Sequence, residues 1–121
     1  MDGKMLPFEK LEVWRRSSRL CSELYKSLSE LKDYGFRNQI TRAALSVPSN
    51  IAEGFERKSE KEKANFLHYA KGSLGEVRTQ LLIGIDIGYI DAGQGKIWVQ
   101  ETIELSKMLA ALAHKICNHS G

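Results

Sequence analysis

The stretch "ALSVPSNIAEGFERKSEKE", residues 43–61, places a proline inside a run of residues that otherwise keeps the spacing of a helix. An interior proline costs a helix about 3 kcal/mol, because it removes one backbone hydrogen bond and clashes with the carbonyl four residues earlier. The apolar positions around Pro48 nevertheless stay in phase across it: Phe36, Ile40, Ala44, Val47, Ile51 and Phe55. We therefore predict that Pro48 lies within a helix or joins two coaxial helices, with Ser46 and Ser49 placed to relieve the strain.

Three further segments show helical apolar spacing. The first carries Leu11, Trp14, Ser18, Cys21, Tyr25 and Leu28, widened by Val13, Leu20, Leu24 and Leu31. A glycine near 33–35 is predicted to end it in the left-handed conformation. The third opens with Ser59 and Glu62 at capping spacing, and Gly88 is its predicted end. Its stripe is Phe66 or Leu67, then Ala70, Leu74, Val77, Leu81 and Ile85. Asp91 and Gln94 repeat the capping spacing before the fourth, whose stripe is Trp98, Thr102, Leu105, Leu109, Leu112 and Ile116.

These segments predict helices at about 9–32, 36–57, 60–87 and 92–117, with no convincing strand between them. A chain of 121 residues with 42% hydrophobic and 27% charged residues fits one domain, over residues 1–121. Short links between four helices favour an all-α fold, an antiparallel up-down-up-down four-helix bundle. Gly72 and Gly75 would each weaken the third helix, so we expect another backbone to approach closely at both.

The sequence indicates a soluble, cytoplasmic protein. Its N-terminus has no apolar signal segment, and its most apolar run, "LLIGIDIGYI", is interrupted by Asp86 and falls short of the roughly 20 residues that a membrane span needs. Cys21 and Cys117 lie far apart, and we expect both to be reduced thiols.

The face of the second helix opposite its core stripe is polar throughout: Gln39, Arg42, Ser46, Ser49, Asn50, Glu53 and Arg57. One interpretation is a solvated face with a Glu53–Arg57 pair. Short Ser and Asn side chains beside a proline favour another, in which the stripe contacts a second subunit. On this interpretation Asn50 and Glu53 form hydrogen bonds across the subunit boundary, and replacing both by alanine dissociates the assembly.

Basic residues form two clusters, each interleaved with acids. Net charge is only +3, and the excess lies in residues 1–63, with 13 Lys and Arg against 10 Asp and Glu, whereas residues 64–121 carry 5 of each. In the first helix Glu12–Arg16 and Arg19–Glu23 stand at pairing distance along the chain. Any binding of RNA or DNA would need these clusters or an assembly of several chains; the candidates are Arg15, Arg16, Arg19, Arg57, Lys58, Lys61 and Lys63.

No pattern of catalytic residues stands out. No histidine, cysteine or serine sits in a recognisable nucleophile-and-base arrangement, and His68 stands alone. His114, Cys117 and His119 share a terminal turn without a fourth ligand, and no glycine-rich phosphate loop follows a strand. We predict no enzyme activity, no metal and no cofactor.

Three stretches together resemble a known family: "RAALSVPSNIAEGFERKSEKE", "FLHYAKGSLGEVRTQL" and "GYI", supported by "FEKLEVW" at 8–14. The sequence is similar to the four-helix-bundle proteins of the 23S rRNA intervening-sequence family. Its most specific parts are "PSNIAEG", from Pro48 to Gly54, and "GSLGE", from Gly72 to Glu76. The resemblance implies an antiparallel bundle that assembles into a ring of five, without enzymatic activity. Relatives serve as accessory proteins of diversity-generating retroelements, where a basic pentamer is thought to engage nucleic acid and a reverse transcriptase.

Three functions follow in order of preference. The first is a homo-oligomeric module that binds RNA or DNA, the second a protein-interaction scaffold without nucleic acid, and the third an undetected enzyme. Counterion release separates the first two, because nucleic-acid affinity falls steeply with salt. A ribosomal role is not indicated, since the sequence pI near 8.9 comes without a basic tail.

Overall fold

Four α-helices follow one turn of 3-10 helix at Pro7–Lys10 in the computed structural model, which describes residues 7–120 and the side chains of residues 8, 9 and 11–118. The helices are α1 (Glu12–Ser27), α2 (Tyr34–Phe55), α3 (Glu60–Asp86) and α4 (Ala92–Ser120). Within residues 7–120 there is no strand. The prediction of an all-α fold is confirmed.

The helices pack as a bundle in chain order. Each lies against the next along the chain, and α1 returns to α4 through the smallest of the four contacts. The backbones of α1 and α3, and of α2 and α4, do not approach each other, so these pairs occupy the diagonals. Because the links between helices are short, consecutive helices run in opposite directions, as the predicted antiparallel up-down-up-down four-helix bundle requires.

One apolar core runs between the helices. The stripes predicted for α2, α3 and α4 line it, and its largest fully buried side chains include Leu24, Ile40, Ile51, Leu67, Leu74, Leu81, Leu105 and Leu109. The stripe predicted for α1 is also buried at Val13, Leu20, Cys21, Leu24 and Leu28, but its member Tyr25 is 46% exposed. Each buried leucine stabilises the fold by about 1.5 to 3 kcal/mol relative to exposure.

Side-chain caps start three of the helices. Ser59 Oγ accepts the Glu62 N–H at 3.1 Å and Asp91 Oδ2 accepts the Gln94 N–H at 2.9 Å, which confirms both predicted caps. At α2 the cap is Asp33, whose Oδ1 accepts the Phe36 N–H at 3.1 Å. That bond, with a second from the Tyr89 hydroxyl, holds the pKa of Asp33 below its ordinary value.

Of the two helix ends predicted at glycines, one was correct and the other was wrong. Gly88 ends α3 as expected: its φ is +84°, and the N–H groups of Gly88 and Tyr89 donate to the carbonyls of Ile85 and Gly84. The predicted end of α1 was wrong. This helix stops at Ser27, and Gly35 lies inside α2 without a positive φ.

Pro48 lies inside α2, and the helix continues on both sides of it. Its ring is buried in the bundle. The predicted relief through Ser46 was wrong in its target, because the Ser46 hydroxyl donates to the carbonyl of Ala43 and not to that of Ala44, which the proline leaves without its usual donor.

Close approach at glycine occurs elsewhere than predicted. A Cβ added at Gly72 or Gly75 would meet nothing within 4 Å, so no other part of the subunit needs glycine there. A Cβ at Gly95 would lie 2.5 Å from Ile85 Cδ1, and one at Gly84 would lie 2.6 Å from Ile90 Cδ1. These two contacts lie where the end of α3 meets the start of α4.

The two cysteines are free thiols, Cys21 buried and Cys117 exposed. Burial raises the pKa of Cys21. Across the part of the chain that the structure describes, no helix combines the length and apolar character that crossing a bilayer requires.

Candidate functional site

The outer surface of α2 is the polar stripe that the sequence marks around Pro48. Ser46 and Asn50 on this stripe are half-buried, whereas Gln39, Arg42, Ser49 and Glu53 are exposed. We call this stripe, together with Leu45 and the clefts on either side of it, the α2 surface. Leu45 is 48% exposed beside the stripe, although it was not predicted as a contact residue.

Most polar groups of the α2 surface bond within the subunit. The Ser46 hydroxyl shares a hydrogen bond of 2.6 Å with the Ser73 hydroxyl of α3, and Asn50 Nδ2 donates to the Ser46 carbonyl at 2.8 Å. Glu53 and Arg57 form the ion pair that their spacing predicts, at 2.5 Å. Asn50 and Glu53 thus each have a partner within the subunit, and their hydrogen bonds across a subunit boundary stay a prediction.

A polar cleft of about 450 Å³ opens between α2 and α3. Gln80 Oε1 is buried within the bundle surface there and has no hydrogen-bond donor among the described residues. A buried acceptor without a donor costs roughly 1 to 3 kcal/mol, so this amide favours a donor from outside the subunit. The cleft is lined by Asn38, Gln39, Arg42, Ala43, Ser46, Ser73, Glu76 and Gln80.

A second cleft of about 350 Å³ lies on the other side of α2, against α1. Its lining is mostly apolar, with Pro48 and Leu45 from α2 and Trp14 and Cys21 from α1; Phe8, Ser18, Ser22, Ser49 and Ala52 complete it. An apolar cleft beside an exposed leucine is a surface that association can bury. Pro48 thus faces a cleft that a partner could fill.

Gly54 ends the family stretch in a tight contact. A Cβ at Gly54 would lie 3.0 Å from Phe66 Cβ and 3.3 Å from the Lys63 carbonyl. The Arg57 guanidinium sits 4.8 Å from the centre of the Phe66 ring. Gly54 therefore lets the end of α2 cross the start of α3 closely, which is an intramolecular reason for this glycine.

In the first basic cluster, Arg16 is bound by carboxylates within the bundle. Arg16 donates to Glu101 at 2.9 and 2.6 Å, to Glu104 at 2.8 Å and to Glu12 at 3.2 Å. These carboxylates, Glu101 above all, hold the pKa of Arg16 above its ordinary value. Arg16 is therefore a clamp between α1 and α4, which corrects its assignment as a nucleic-acid candidate.

Its neighbours in α1 remain at the surface. Arg15 is exposed and donates to the Glu9 carbonyl at 3.0 Å. Arg19 is exposed, and the expected Arg19–Glu23 ion pair does not form within residues 7–120. Glu23 instead accepts a hydrogen bond from Trp98 Nε1 at 2.9 Å.

The second basic cluster divides in the same way. Arg57 is bound to Glu53, and Lys63 lies 3.7 Å from Glu60 and 6.0 Å from the centre of the Phe55 ring. Lys58 and Lys61 are exposed and form no ion pair with any other described residue. Two of the four predicted cations in this turn are therefore available to a partner.

No catalytic or metal-binding constellation emerges among the described residues. His68 is exposed, and His114 shares a hydrogen bond with Asn118 at 2.9 Å. No group of three His, Cys, Asp or Glu within the described residues is arranged to hold a metal ion, and the side chain of His119 lies outside them.

Sequence reasoning missed three features of these surfaces. Leu45 could have been found, because an apolar residue about 100° from Ser46 falls outside the core stripe. Gln80 could not, since its burial depends on the approach of α2. Arg78 could not either, because its bonds to Thr102 and Ser106 join helices far apart in the chain.

Comparison with known proteins gives a family and similar solved structures. The family model described as 23S rRNA-intervening sequence protein matches residues 9–111. The crystal structure of a protein of unknown function from the S23 ribosomal protein family of Bacteroides thetaiotaomicron is similar, with a TM-score of 0.78 and 26% sequence identity. The similarity covers 84% of this chain and 97% of that chain. No curated protein matches the sequence.

Proposed function

The chain belongs to the 23S rRNA-intervening sequence protein family, and we propose that it is a non-enzymatic subunit of a homo-oligomeric ring that binds RNA or DNA through basic surfaces. The α2 surface is the subunit contact. One observation carries this assignment: α2 has an exposed leucine, an apolar cleft on its α1 side and, in the cleft on its α3 side, the buried Gln80 Oε1 of α3 without a donor among the described residues.

The α2 surface runs along one side of the bundle. Its helix has 22 residues and is about 33 Å long, and a cleft lies on each side of it. A second copy of the same chain is always available to cover it, and closed rings satisfy every such surface. The number five rests on the family resemblance alone.

Nucleic-acid binding is the second part of the proposal, and assembly supports it. Five chains at a formal +3 each sum to +15, and phosphate affinity scales with the number of basic contacts. The retroelement accessory relatives give this role its precedent. The competing function is a protein-interaction scaffold, in which the same ring forms but wild-type protein retards neither RNA nor DNA at low salt.

Native mass spectrometry tests the assembly. We expect a species of five times the 13.7 kDa chain mass, about 68 kDa. A closed ring of another number would correct only the stoichiometry. A monomer at tens of micromolar chain would contradict the proposal. Adding nuclease before the measurement distinguishes a ring held by protein contacts from chains gathered on nucleic acid.

A further inference from the structure

The acidic residues of the second half of the chain are placed unevenly in space. Residues 64–121 carry five acids against five bases, which looks neutral in sequence. Glu101 and Glu104 point to the α1 side of α4, where both bind Arg16. Asp91 caps α4, and Glu76 lines the α2–α3 cleft. Three of the five acids are therefore bound within the subunit, and a fourth lines the cleft on the α2 side of α3.

Asp86 is the exception. It lines a cleft at one end of the α3–α4 contact together with Lys96, so a carboxylate and an ammonium group share that end. Further along, Lys71, Gly75 and Arg78 lie on one side of α3, Arg78 bonds to Ser106 of α4, and Lys107 lies on the outer side of α4, near a Glu104 that is bound to Arg16. We call Lys71, Gly75, Arg78, Ser106 and Lys107 the α3–α4 surface.

Arg78 is held in place by neutral oxygens. Its Nε donates to Thr102 Oγ1 at 2.9 Å, and its Nη2 donates to the Thr102 carbonyl at 3.2 Å and to Ser106 Oγ at 3.0 Å. No carboxylate forms an ion pair with Arg78 in the part of the chain that the structure describes. Arg78 thus has a fixed guanidinium whose positive charge is not neutralised, in contrast to Arg16.

Lys71 lies on the same side of α3 as Arg78, whereas Lys107 lies on the outer side of α4. Lys71 precedes Arg78 by seven residues, which returns to within about 20° of the same direction and about 10 Å along the helix. Lys107 follows Ser106, the residue that Arg78 contacts, and is turned about 100° from it around α4. Both lysines are exposed, and their ammonium groups form no ion pair with any described residue, although the field of Lys107 helps to lower the pKa of Glu104.

The residues between the cations have small side chains. A Cβ added at Gly75 would meet nothing within 4 Å, and Ser106 is a small residue across from it. Nothing on this surface offers a pocket for a base or an aromatic ring for stacking. Its chemistry fits a row of phosphates and does not read sequence, because phosphate contacts position a duplex without distinguishing its bases.

We infer that the α3–α4 surface binds the phosphate backbone of nucleic acid, an inference that rests on the nucleic-acid role proposed above and moves its site away from the two basic clusters of the sequence. The α2 surface faces another subunit, whereas Lys71, Arg78 and Lys107 stay accessible outside it. The spacing of Lys71 and Arg78 matches about three base-pair steps at 3.4 Å per step of one strand.

Fluorescence anisotropy with labelled RNA and DNA duplexes of about 20 base pairs, at about 50 and about 200 mM salt, tests the site. The variant is Lys71→Glu with Lys107→Glu, and its matched control is Lys58→Glu with Lys61→Glu, two exposed lysines at the other cluster. We expect the first pair to lower affinity about tenfold or more at the lower salt and the second to change it less than about threefold. Circular dichroism and native mass spectrometry check that each variant keeps its helicity and its assembly.

The outcomes separate the site from the function. If the wild type binds and only the Lys58 and Lys61 pair weakens binding, nucleic-acid binding stands and the α3–α4 surface is overturned as its site. If the wild type binds neither duplex at the lower salt, both the nucleic-acid role and the inference fail. Binding to vesicles of anionic phospholipid with no binding to either duplex would also overturn the inference, in favour of a membrane surface.

Discussion

The α2 surface and the α3–α4 surface show how one small bundle separates two kinds of contact. On the α2 surface Ser46, Asn50 and Glu53 bond within the subunit. Beside them lie an exposed leucine, an apolar cleft and two buried polar atoms without a partner among the described residues, Gln80 Oε1 and Arg57 Nε. The α3–α4 surface has three cations and two small residues, and the nearby acids of α4 are bound to Arg16. The first surface is partly apolar, as subunit contacts are, and the second is positively charged, as binding sites for anions are.

The difference between the surfaces depends on where charges are paired, which net charge does not reveal. Arg16 and Arg78 both reach α4, but one meets carboxylates and the other meets neutral oxygens. Because ion pairs remove charge from the field that a partner meets, a chain that is nearly neutral overall still presents one positive surface.

The largest expected effect comes from two glycines that test whether the α3–α4 surface is open. Gly75→Ala should raise the free energy of unfolding by up to about 1 kcal/mol, because alanine favours the helix and its Cβ meets nothing. Gly95→Ala should lower it by about 1 to 2 kcal/mol, since its Cβ would press on the partly buried Ile85 and the buried Ile90 side chains. Urea unfolding measures both. Equal losses would mean that Gly75 is packed and the surface is not open.

Pro48→Ala tests whether the proline of the α2 surface lowers the stability of the isolated subunit. Both proteins compared carry Leu45→Glu, which should keep them monomeric. In this background we expect Pro48→Ala to raise the free energy of unfolding by about 1 to 2 kcal/mol. The restored helix bond, worth about 3 kcal/mol, outweighs the lost burial of the ring. A loss of stability in this background would show that the proline serves packing within the subunit, which would remove one reason to place a contact there.

A smaller effect is expected at the Arg16 clamp, which keeps the acids of α4 away from the α3–α4 surface. Arg16→Ala should lower the free energy of unfolding by about 1 kcal/mol, because it breaks a partly exposed network of charged hydrogen bonds. Arg15→Ala is the matched control, and its expected effect is near zero, since Arg15 is exposed and donates to a backbone carbonyl. Similar losses from both variants would make the clamp unimportant.

The pH dependence of the loss of unfolding free energy in Arg16→Ala tests whether ion pairing causes that loss. Arg16 holds the pKa of Glu104 below its ordinary 4.5, chiefly by hydrogen bonding. A carboxyl whose pKa is lower in the folded state stabilises the fold above its unfolded pKa, and that stabilisation is lost as pH falls through its folded pKa. The gap in unfolding free energy between wild type and Arg16→Ala should therefore narrow below about pH 4.5. A gap that stays constant down to pH 3 would show that the clamp acts by packing alone.

Local signals in the sequence account for most of the fold. The apolar period identifies α2 to α4 because each helix buries one stripe, and Ser59 and Asp91 mark helix starts because a cap needs only residues three apart. The end of α1 was misjudged because Leu28 and Leu31 keep the apolar spacing after the chain has left the helix at Ser27. Leu28 is buried there from a turn, so burial and helix do not coincide.

The surfaces were less predictable because their partners are distant in the chain. Arg16 and Glu101 are 85 residues apart, and no spacing rule pairs them. Gly72 and Gly75 cannot be told from Gly84 and Gly95 by residue type, since only the register of the neighbouring helix decides which glycine is crowded. Asn50 and Glu53 were predicted to bond across subunits, yet each finds a partner four residues away in its own helix.

Sedimentation velocity on two matched leucine variants tests most directly whether the α2 surface is the subunit contact. Leu45 is 48% exposed on that surface and Leu82 is 53% exposed on α3, away from it. At tens of micromolar chain we expect Leu45→Glu to sediment as a monomer with unchanged helicity, because a charge at the contact must be desolvated. Leu82→Glu should keep the mass of the wild type. If Leu45→Glu also keeps that mass, or if the wild type itself is monomeric, the α2 surface does not join subunits.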